Sequence, residues 1–126
     1  MQEVFKDVPG FEGFYQVSNL GNVKSLERWT WREFPDRSAH WAKFKTKILH
    51  AQKDKEGYLH VRLTKGNGYT LWKVHQLVAA VFLQHDRKDR NYVVHHVNHD
   101  RSDNRLENLE VQDRSEHSRM HRLGVQ

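Results

Sequence analysis

The chain has 126 residues, enough for one compact domain or one domain with a small appended lobe, and this excludes two independent large domains. No apolar run approaches the ~20 residues of a membrane span. No charged-then-apolar leader is present, so we expect a soluble, intracellular protein with no membrane partner. The chain has no Cys, which excludes disulfides and thiolate metal sites and leaves His, Asn, Asp or Glu as possible metal ligands.

The charge is positive and unevenly distributed. The formal net charge is +5, and the stretch from Lys24 to Lys73 holds 12 basic residues against 5 acidic ones. The stretch from His95 to Gln126 holds 5 basic and 6 acidic residues. A basic middle segment favours a polyanionic partner, although charge alone is equally compatible with a solvated basic surface.

The N-terminal segment has the pattern of a short β-hairpin. Tyr15 and Val17 alternate with polar neighbours, and turn-forming residues occupy positions 19–22. Apolar residues then return at 23–26. This arrangement predicts two short strands joined by a tight turn.

The following segment, 28–47, is rich in tryptophan and in basic residues. It contains Trp29, Trp31 and Trp41 and follows neither a helical nor a strand period. We therefore predict a long basic loop or irregular ribbon here. Tryptophan is highly buried on average, so at least two of the three side chains are expected in the core.

A second hairpin and a helix are predicted next. The β-favouring runs 58–63 and 69–74 flank a glycine-rich turn at 65–68. Apolar residues then recur at helical spacing over 75–83, which predicts a short buried helix. His75, at its start, is expected to pack in the core or at the helix terminus.

The last third of the chain predicts the order strand, loop, strand, helix. Residues 92–94 and 109–111 are apolar runs separated by a loop rich in Asn, Asp and Ser. Asp113 is followed three residues later by Glu, which is typical of a helix N-terminus. The helix should reach about Leu123 and stop at Gly124.

Histidines are concentrated in this last third. Five of the chain's ten lie there. His117 and His121 are four residues apart, so they share one face of the predicted helix and could bind one metal. His95 and His96 end a strand and point to opposite faces, so at most one of them faces the helix. Taken singly, each histidine could be an ordinary surface or core residue, but together they suggest a metal held between a hairpin and a helix.

These residues resemble a known family. The sequences VHHVNHD at 94–100, NRLENLE at 104–110 and SEH at 115–117 resemble the HNH endonuclease motif of small phage and homing members. Residues 5–26 are similar to the modular DNA-binding segment that precedes HNH motifs. Residues 74–82 are similar to the helix between the two.

The resemblance covers most of the chain apart from residues 29–47 and the last few positions. It implies an α+β fold in which a β-hairpin-rich DNA-binding part, residues 1–73, leads into a ββα-metal (His-Me finger) nuclease motif, residues 74–126. The two parts are expected to form one compact unit.

The resemblance also implies roles for individual residues. His96 would be the general base that activates water, and Asn108 would brace the loop that orients it. His95 and His117 would be metal ligands, with His121 as a further histidine near the metal. The cofactor would be one divalent ion, Mg²⁺, Mn²⁺, Zn²⁺ or Ni²⁺.

Two positions depart from the family pattern. Val111 stands where a tryptophan is usual, and His95 stands where relatives often have an oxygen donor. Nitrogen ligands favour Zn²⁺, Ni²⁺ or Mn²⁺ over Mg²⁺, so the metal preference is open.

The expected partner is double-stranded DNA, bound by a monomer or weak homodimer. The predicted phosphate contacts come from the basic middle segment. They are Arg62, Lys65 and Lys73 on the second hairpin, together with Lys24 and Arg28.

Two other functions remain open at this point. The first is a non-catalytic DNA-binding module in which a closed shell of histidines, His96 included, holds a structural zinc. The second is an RNA-directed nuclease, because composition does not separate DNA from RNA.

Overall fold

The structure, a computed structural model, describes residues 2–66 and 68–114. Within these ranges the chain is rich in short strands and has one α-helix. The elements are β1 (Phe5–Asp7), β2 (Tyr15–Ser18), β3 (Val23–Ser25), β4 (Arg28–Glu33), β5 (Ala39–Phe44), β6 (Lys47–Ile48), β7 (Gln52–Lys53), β8 (Leu59–Lys65), β9 (Gly68–Lys73), α1 (Val74–Phe82), β10 (Tyr92–His96) and β11 (Leu109–Asp113).

The strands form four antiparallel sheets. Their orders are β1-β2-β3-β6, β4-β5, β7-β8-β9 and β10-β11. The β2–β3 and β8–β9 pairs confirm both predicted hairpins. The β10–β11 pair confirms the two strands predicted around the polar loop.

The segment predicted as a loop or irregular ribbon is instead a regular hairpin. β4 and β5 pair through six residues each, from Arg28 opposite Phe44 to Glu33 opposite Ala39. Trp29, Trp31 and Trp41 are all exposed, so the prediction that at least two would be buried is also wrong. The strand period was obscured because both faces of this hairpin carry large or charged side chains, which leaves no apolar–polar alternation.

The core joins residues from both sides of position 73. Val17 from β2 and Leu63 from β8 are fully buried with Leu77 of α1, and Leu109 of β11 belongs to the same cluster. The predicted helix is confirmed as α1, and its start is fixed by the Gln76 side chain, which accepts a hydrogen bond from the Lys73 amide at 3.1 Å. One packed interior thus supports both the N-terminal sheets and the β10–β11 hairpin.

The final predicted helix, from Asp113 to Leu123, lies outside the described residues except for its first positions. His117 and His121 lie outside them as well. Across the described ranges, no helix is both long and apolar enough to cross a membrane.

Candidate active site

The β10–β11 hairpin ends at two adjacent histidines with different surroundings. His96 pairs with Leu109 and is only 6% exposed, whereas His95 pairs with Glu110 and is partly exposed. Successive side chains of a strand point to opposite faces, which explains the difference. The structure therefore separates the two imidazoles, as the strand pattern predicts.

Asn108 closes the loop that connects β10 to β11. Its Oδ1 accepts from the Asn98 amide at 3.0 Å, and its Nδ2 donates to Asn98 Oδ1 and to the Asp103 carbonyl, both at 2.9 Å. The side chain is buried, so its polar atoms require these partners. Asn108 thus ties the two ends of the loop together behind His96.

A charged pair stiffens the same loop on its outer side. The Arg105 guanidinium donates from Nε and Nη2 to the two oxygens of Asp103, each at 2.8 Å. These bonds, helped by one from Asn98, lower the pKa of Asp103 to about 2. Asp103 therefore stays ionised at neutral pH and keeps its bonds to the loop.

Asn104 makes the direct contact with His96. Its Oδ1 lies 2.9 Å from His96 Nε2, and the Asn104 side chain is almost completely buried. A carboxamide oxygen only accepts hydrogen bonds, so Nε2 carries the hydrogen and the neutral ring keeps its lone pair on Nδ1. The arrangement selects the tautomer in which Nδ1 can accept a proton.

The turn between β2 and β3 of the N-terminal sheet packs against the loop that carries Asn104. Gly21 adopts φ of +86°, and a Cβ there would lie 3.1 Å from the Asn104 carbonyl oxygen. The Leu106 amide donates to the Asn19 carbonyl at 2.7 Å. The turn between β2 and β3 therefore holds the loop that carries Asn104, and only glycine fits at its closest point.

Two aromatic rings pack against His96. The His75 ring lies edge-on with its centroid 5.0 Å away, and the Tyr58 centroid lies 6.1 Å away. Burial, followed by electrostatic interaction with the neighbouring His96 and Lys73 side chains, lowers the pKa of His75 to about 3. His75 is therefore neutral at physiological pH, and its buried Nδ1 has no hydrogen-bond partner among the described residues.

Two cations lie on Tyr58. Lys73 Nζ is 4.2 Å and Arg101 Cζ is 4.9 Å from the ring centroid. Arg101 also donates to the Glu56 carbonyl at 2.9 Å, which fixes the loop's position against the segment before β8. Positive charge is thus held on the ring that contacts His96.

Of the expected metal ligands, His95 is the one that lies within the described residues. His95 stacks edge-on with His99 at a centroid distance of 5.3 Å, while the other expected ligands, His117 and His121, lie outside those residues. Over 2–66 and 68–114, no three His, Cys, Asp or Glu side chains converge on one point. His95 fits a divalent ion because imidazole is a ligand for Zn²⁺, Ni²⁺ and Mn²⁺.

The predicted DNA contacts are placed in different surroundings. Arg28 is held internally, because it donates to the carbonyls of Phe14 and Leu26 at 3.1 and 2.9 Å. Lys65 donates to the Gly10 carbonyl at 2.8 Å. The remaining three lie over aromatic rings: Lys24 on Phe5, Arg62 on Tyr69 and Lys73 on Tyr58. Arg28 and Arg62 line one cleft between β4 and β8.

Sequence reasoning missed two residues of this site. Asn104, eight positions after His96, bonds directly to it, and Tyr58 packs against it from a separate sheet. Asn104 lies within the second quoted motif, so its position was a usable signal. No sequence signal identified Tyr58, because only the tertiary fold brings it to His96.

Two motif families match the chain. The NUMOD4 motif matches residues 3–64, and the HNH endonuclease family matches residues 73–119. The second match contains His95, His96, Asn104 and Asn108. Residues 73–119 belong to the HNH endonuclease family. The NUMOD4 match contains residues 5–26, where the N-terminal resemblance was expected, and it also includes residues 29–47, which the resemblance left out.

Two proteins similar to this chain come from viruses. It is 37% identical over 111 residues to an uncharacterised HNH endonuclease of Acanthamoeba polyphaga mimivirus, covering 86% of this chain and 23% of that protein. It is 32% identical over 105 residues to the DNA endonuclease I-HmuI of Bacillus phage SP01, covering 83% of this chain and 49% of that enzyme. The chain therefore spans half or less of the length of these relatives.

A solved structure shows the same α+β fold. The structure described as DNA binding and cleavage by the HNH homing endonuclease I-HmuI superposes with a TM-score of 0.69 and 28% sequence identity. The alignment covers 98% of this chain and 60% of that one. The expected fold, a β-hairpin-rich part leading into an HNH motif, is confirmed.

Proposed function

We propose that this HNH family member is a metal-dependent endonuclease that hydrolyses phosphodiester bonds of double-stranded DNA, with His96 as the general base. The observation that carries this proposal is the contact between His96 Nε2 and Asn104 Oδ1 at 2.9 Å. It leaves Nδ1 as the proton acceptor of a neutral imidazole, the state that a general base needs near pH 7.

The chemical step follows from that tautomer. His96 Nδ1 takes a proton from water as the water oxygen forms its bond to phosphorus. The bond from phosphorus to the 3′ oxygen breaks, and that oxygen takes up a proton. The products are a 5′ phosphate and a 3′ hydroxyl. Lys73 and Arg101, both on Tyr58 beside His96, are placed to attract the phosphate.

The proposed metal ligands are His95 with His117, and His121 as a further candidate. A bound divalent ion supplies charge neutralisation at the phosphate and at the departing oxygen. Nitrogen ligands favour Zn²⁺, Ni²⁺ or Mn²⁺, and Mg²⁺ remains the abundant alternative in cells. We assign no ion among the four.

A closed structural zinc shell that includes His96 is less well supported. His96 Nε2 is engaged by Asn104, and the ring packs between His75 and the loop. His95 and His96 point to opposite faces of β10, whereas a closed zinc shell would require both imidazoles to converge on one ion. The geometry supports a base held apart from the metal.

The shared core supports a division of labour within one unit. We propose that residues 1–73 mainly bind DNA and residues 74–126 cut it, inside a host cell. One chain carries one His96, so a monomer would nick one strand, and a double-strand break would require a weak homodimer or two events.

The test is conversion of a supercoiled plasmid in the presence of each of the four divalent ions. We expect His96→Ala to reduce nicking by ~10²- to 10⁴-fold while DNA binding is retained. The control is His85→Ala, a histidine beyond α1 that should nick like the wild type. Near-normal nicking by His96→Ala would overturn the assigned base. Absence of nicking by the wild type with every ion would overturn the endonuclease itself.

A further inference from the structure

A second histidine lies beside His95 at the end of β10. The rings of His95 and His99 meet edge-on, with their centroids 5.3 Å apart and their planes at 74°. His95 is partly exposed and His99 is exposed, so a dissolved ion can reach the pair. Within the described residues, no hydrogen bond or ion pair engages the His99 ring. The proposed mechanism gives this ring no task.

A tight turn returns the chain to His95 at position 99. The His99 amide donates to the His96 carbonyl at 2.9 Å, which closes the turn directly after the strand. The preceding residue, Asn98, is held by Asn108, which accepts from its amide at 3.0 Å and donates to its Oδ1 at 2.9 Å. The fold itself therefore fixes the backbone that carries the His99 ring next to His95.

The backbone of His99 adopts a conformation that few side chains tolerate. Its φ is +64°, in the left-handed region that glycine enters at no steric cost. Residues held in sparsely populated backbone conformations cluster at active sites and ligand-binding sites. Glycine would complete the same turn without strain, so the imidazole at position 99 indicates a task for the side chain.

The separation of the two rings suits one shared metal ion. With a Zn–N bond of ~2.1 Å, each ring centroid lies about 3.2 Å from the ion, so two rings at the tetrahedral angle have centroids ~5.2 Å apart. The separation of the His95 and His99 centroids is 5.3 Å. Two rings at the right angle of an octahedral site would lie closer, at ~4.5 Å. The exposed His99 ring can rotate about its side-chain bonds to aim a nitrogen at such an ion.

We propose that His99 is a ligand of the divalent ion together with His95, and that this pair makes the site selective for Zn²⁺ or Ni²⁺ over Mg²⁺. Imidazole suits the first two ions, whereas Mg²⁺ requires oxygen ligands. With His117 as the third ligand of the proposed function, the set has three nitrogens and leaves a position for water, which is the composition of a catalytic zinc site. The inference rests on the proposed function, since it takes His95 as a metal ligand.

Titration of the metal-free full chain with Co²⁺ tests the pair, because Co²⁺ binds at nitrogen sites and its visible absorption reports its ligands. We expect one Co²⁺ per chain in the wild type. His99→Gly should weaken binding by at least ~10-fold, since even the loss of contacts behind a ligand costs about 10- to 100-fold. Glycine adopts the φ of position 99 without strain, so the fold should be retained. The control is His85→Ala, beyond α1, which should bind Co²⁺ like the wild type.

A second variant measures selectivity. His99→Asn keeps a residue that tolerates the left-handed conformation and replaces the ring nitrogen by an amide oxygen. The ratio of Zn²⁺ affinity to Mg²⁺ affinity, measured by competition of each ion against bound Co²⁺, should fall by at least ~10-fold. An unchanged ratio would overturn the proposed source of selectivity.

The outcomes separate this inference from the endonuclease proposal. If His99→Gly binds Co²⁺ as tightly as the wild type, the two rings only pack on one another and the ligand is overturned, whatever the nicking activity. If His95→Ala retains the affinity that His99→Gly loses, the shared ion is overturned. A wild type that binds Co²⁺ through His99 but nicks with no ion supports the ligand and overturns the endonuclease. A wild type that binds no Co²⁺, Zn²⁺ or Ni²⁺ and nicks with Mg²⁺ overturns the pair and leaves the endonuclease standing.

Discussion

The β10–β11 and β4–β5 hairpins are built from the same local element but distribute their side chains in opposite ways. At β10–β11 the polar side chains of His96, Asn104 and Asn108 are buried and bonded to one another or to the loop. At β4–β5 the side chains of Trp29, Trp31 and Trp41 are exposed. Buried polar and exposed apolar residues are both informative departures from the usual distribution, and they mark different tasks.

The difference indicates that the two regions have different roles toward a substrate. A buried, hydrogen-bonded polar cluster fixes one imidazole in one tautomer, which general-base catalysis requires. An exposed aromatic face supplies contact area, which binding requires. Loss of a buried partner should therefore destabilise the fold, whereas loss of an exposed tryptophan should not.

The largest expected effect follows from breaking the buried side of this comparison at Asn108. Asn108→Ala removes three hydrogen bonds and leaves the Asn98 amide and the Asp103 carbonyl without this partner. We expect the free energy of unfolding to fall by about 3 kcal/mol, measured by urea denaturation.

The matched control for Asn108→Ala is Glu107→Ala, in the same turn. Glu107 is exposed, and within the described residues its ion pair is with Arg105, so its loss should cost less than ~1 kcal/mol. Equal losses in the two variants would contradict the role of Asn108 as the brace of the loop.

A second prediction concerns pH and His75. Burial lowers the pKa of His75 from 6.5 to about 3, so the unfolded chain takes up a proton near pH 6.5 and the folded chain does not. The stabilisation that comes from neutral, buried His75 is therefore present well above pH 6.5 and is lost as the pH falls from 6.5 toward 3. Between pH 6.5 and 5 the contribution of this residue should be a loss of about 2 kcal/mol.

Urea denaturation of His75→Phe at several pH values checks this contribution. The variant should show a flatter decline of stability with falling pH than the wild type. His40→Phe, on the exposed hairpin, leaves His75 in place and should keep the wild-type decline. An unaltered decline in His75→Phe would show that another group is responsible.

Much of the β10–β11 hairpin could be predicted from the sequence, because its signals are local. The apolar runs at 92–94 and 109–111 and the helical spacing from 75 identified the strands and α1, and the motif residues placed His96 and Asn108. The contact of Tyr58 with His96 is set by packing between sheets, which no local pattern encodes. The tryptophan hairpin was misjudged for a related reason: an exposed aromatic face has the same sequence appearance as a buried one.

The smallest expected effect sharpens the comparison at one bond, between Asn104 and His96. Asn104 is a positioning residue in the proposed mechanism, since it acts through its hydrogen bond to His96. Asn104→Ala should lower the nicking rate about tenfold, as loss of such supporting hydrogen bonds commonly does, with DNA affinity unchanged.

The direct readout of the Asn104–His96 bond is the ¹⁵N chemical shifts of the His96 ring. In the wild type they should report hydrogen on Nε2, and in Asn104→Ala a mixture of tautomers. Asn104→Asp keeps an acceptor oxygen and should restore the Nε2–H tautomer. A wild-type ring with its hydrogen on Nδ1 would contradict the assignment, because that nitrogen could not then accept a proton from water.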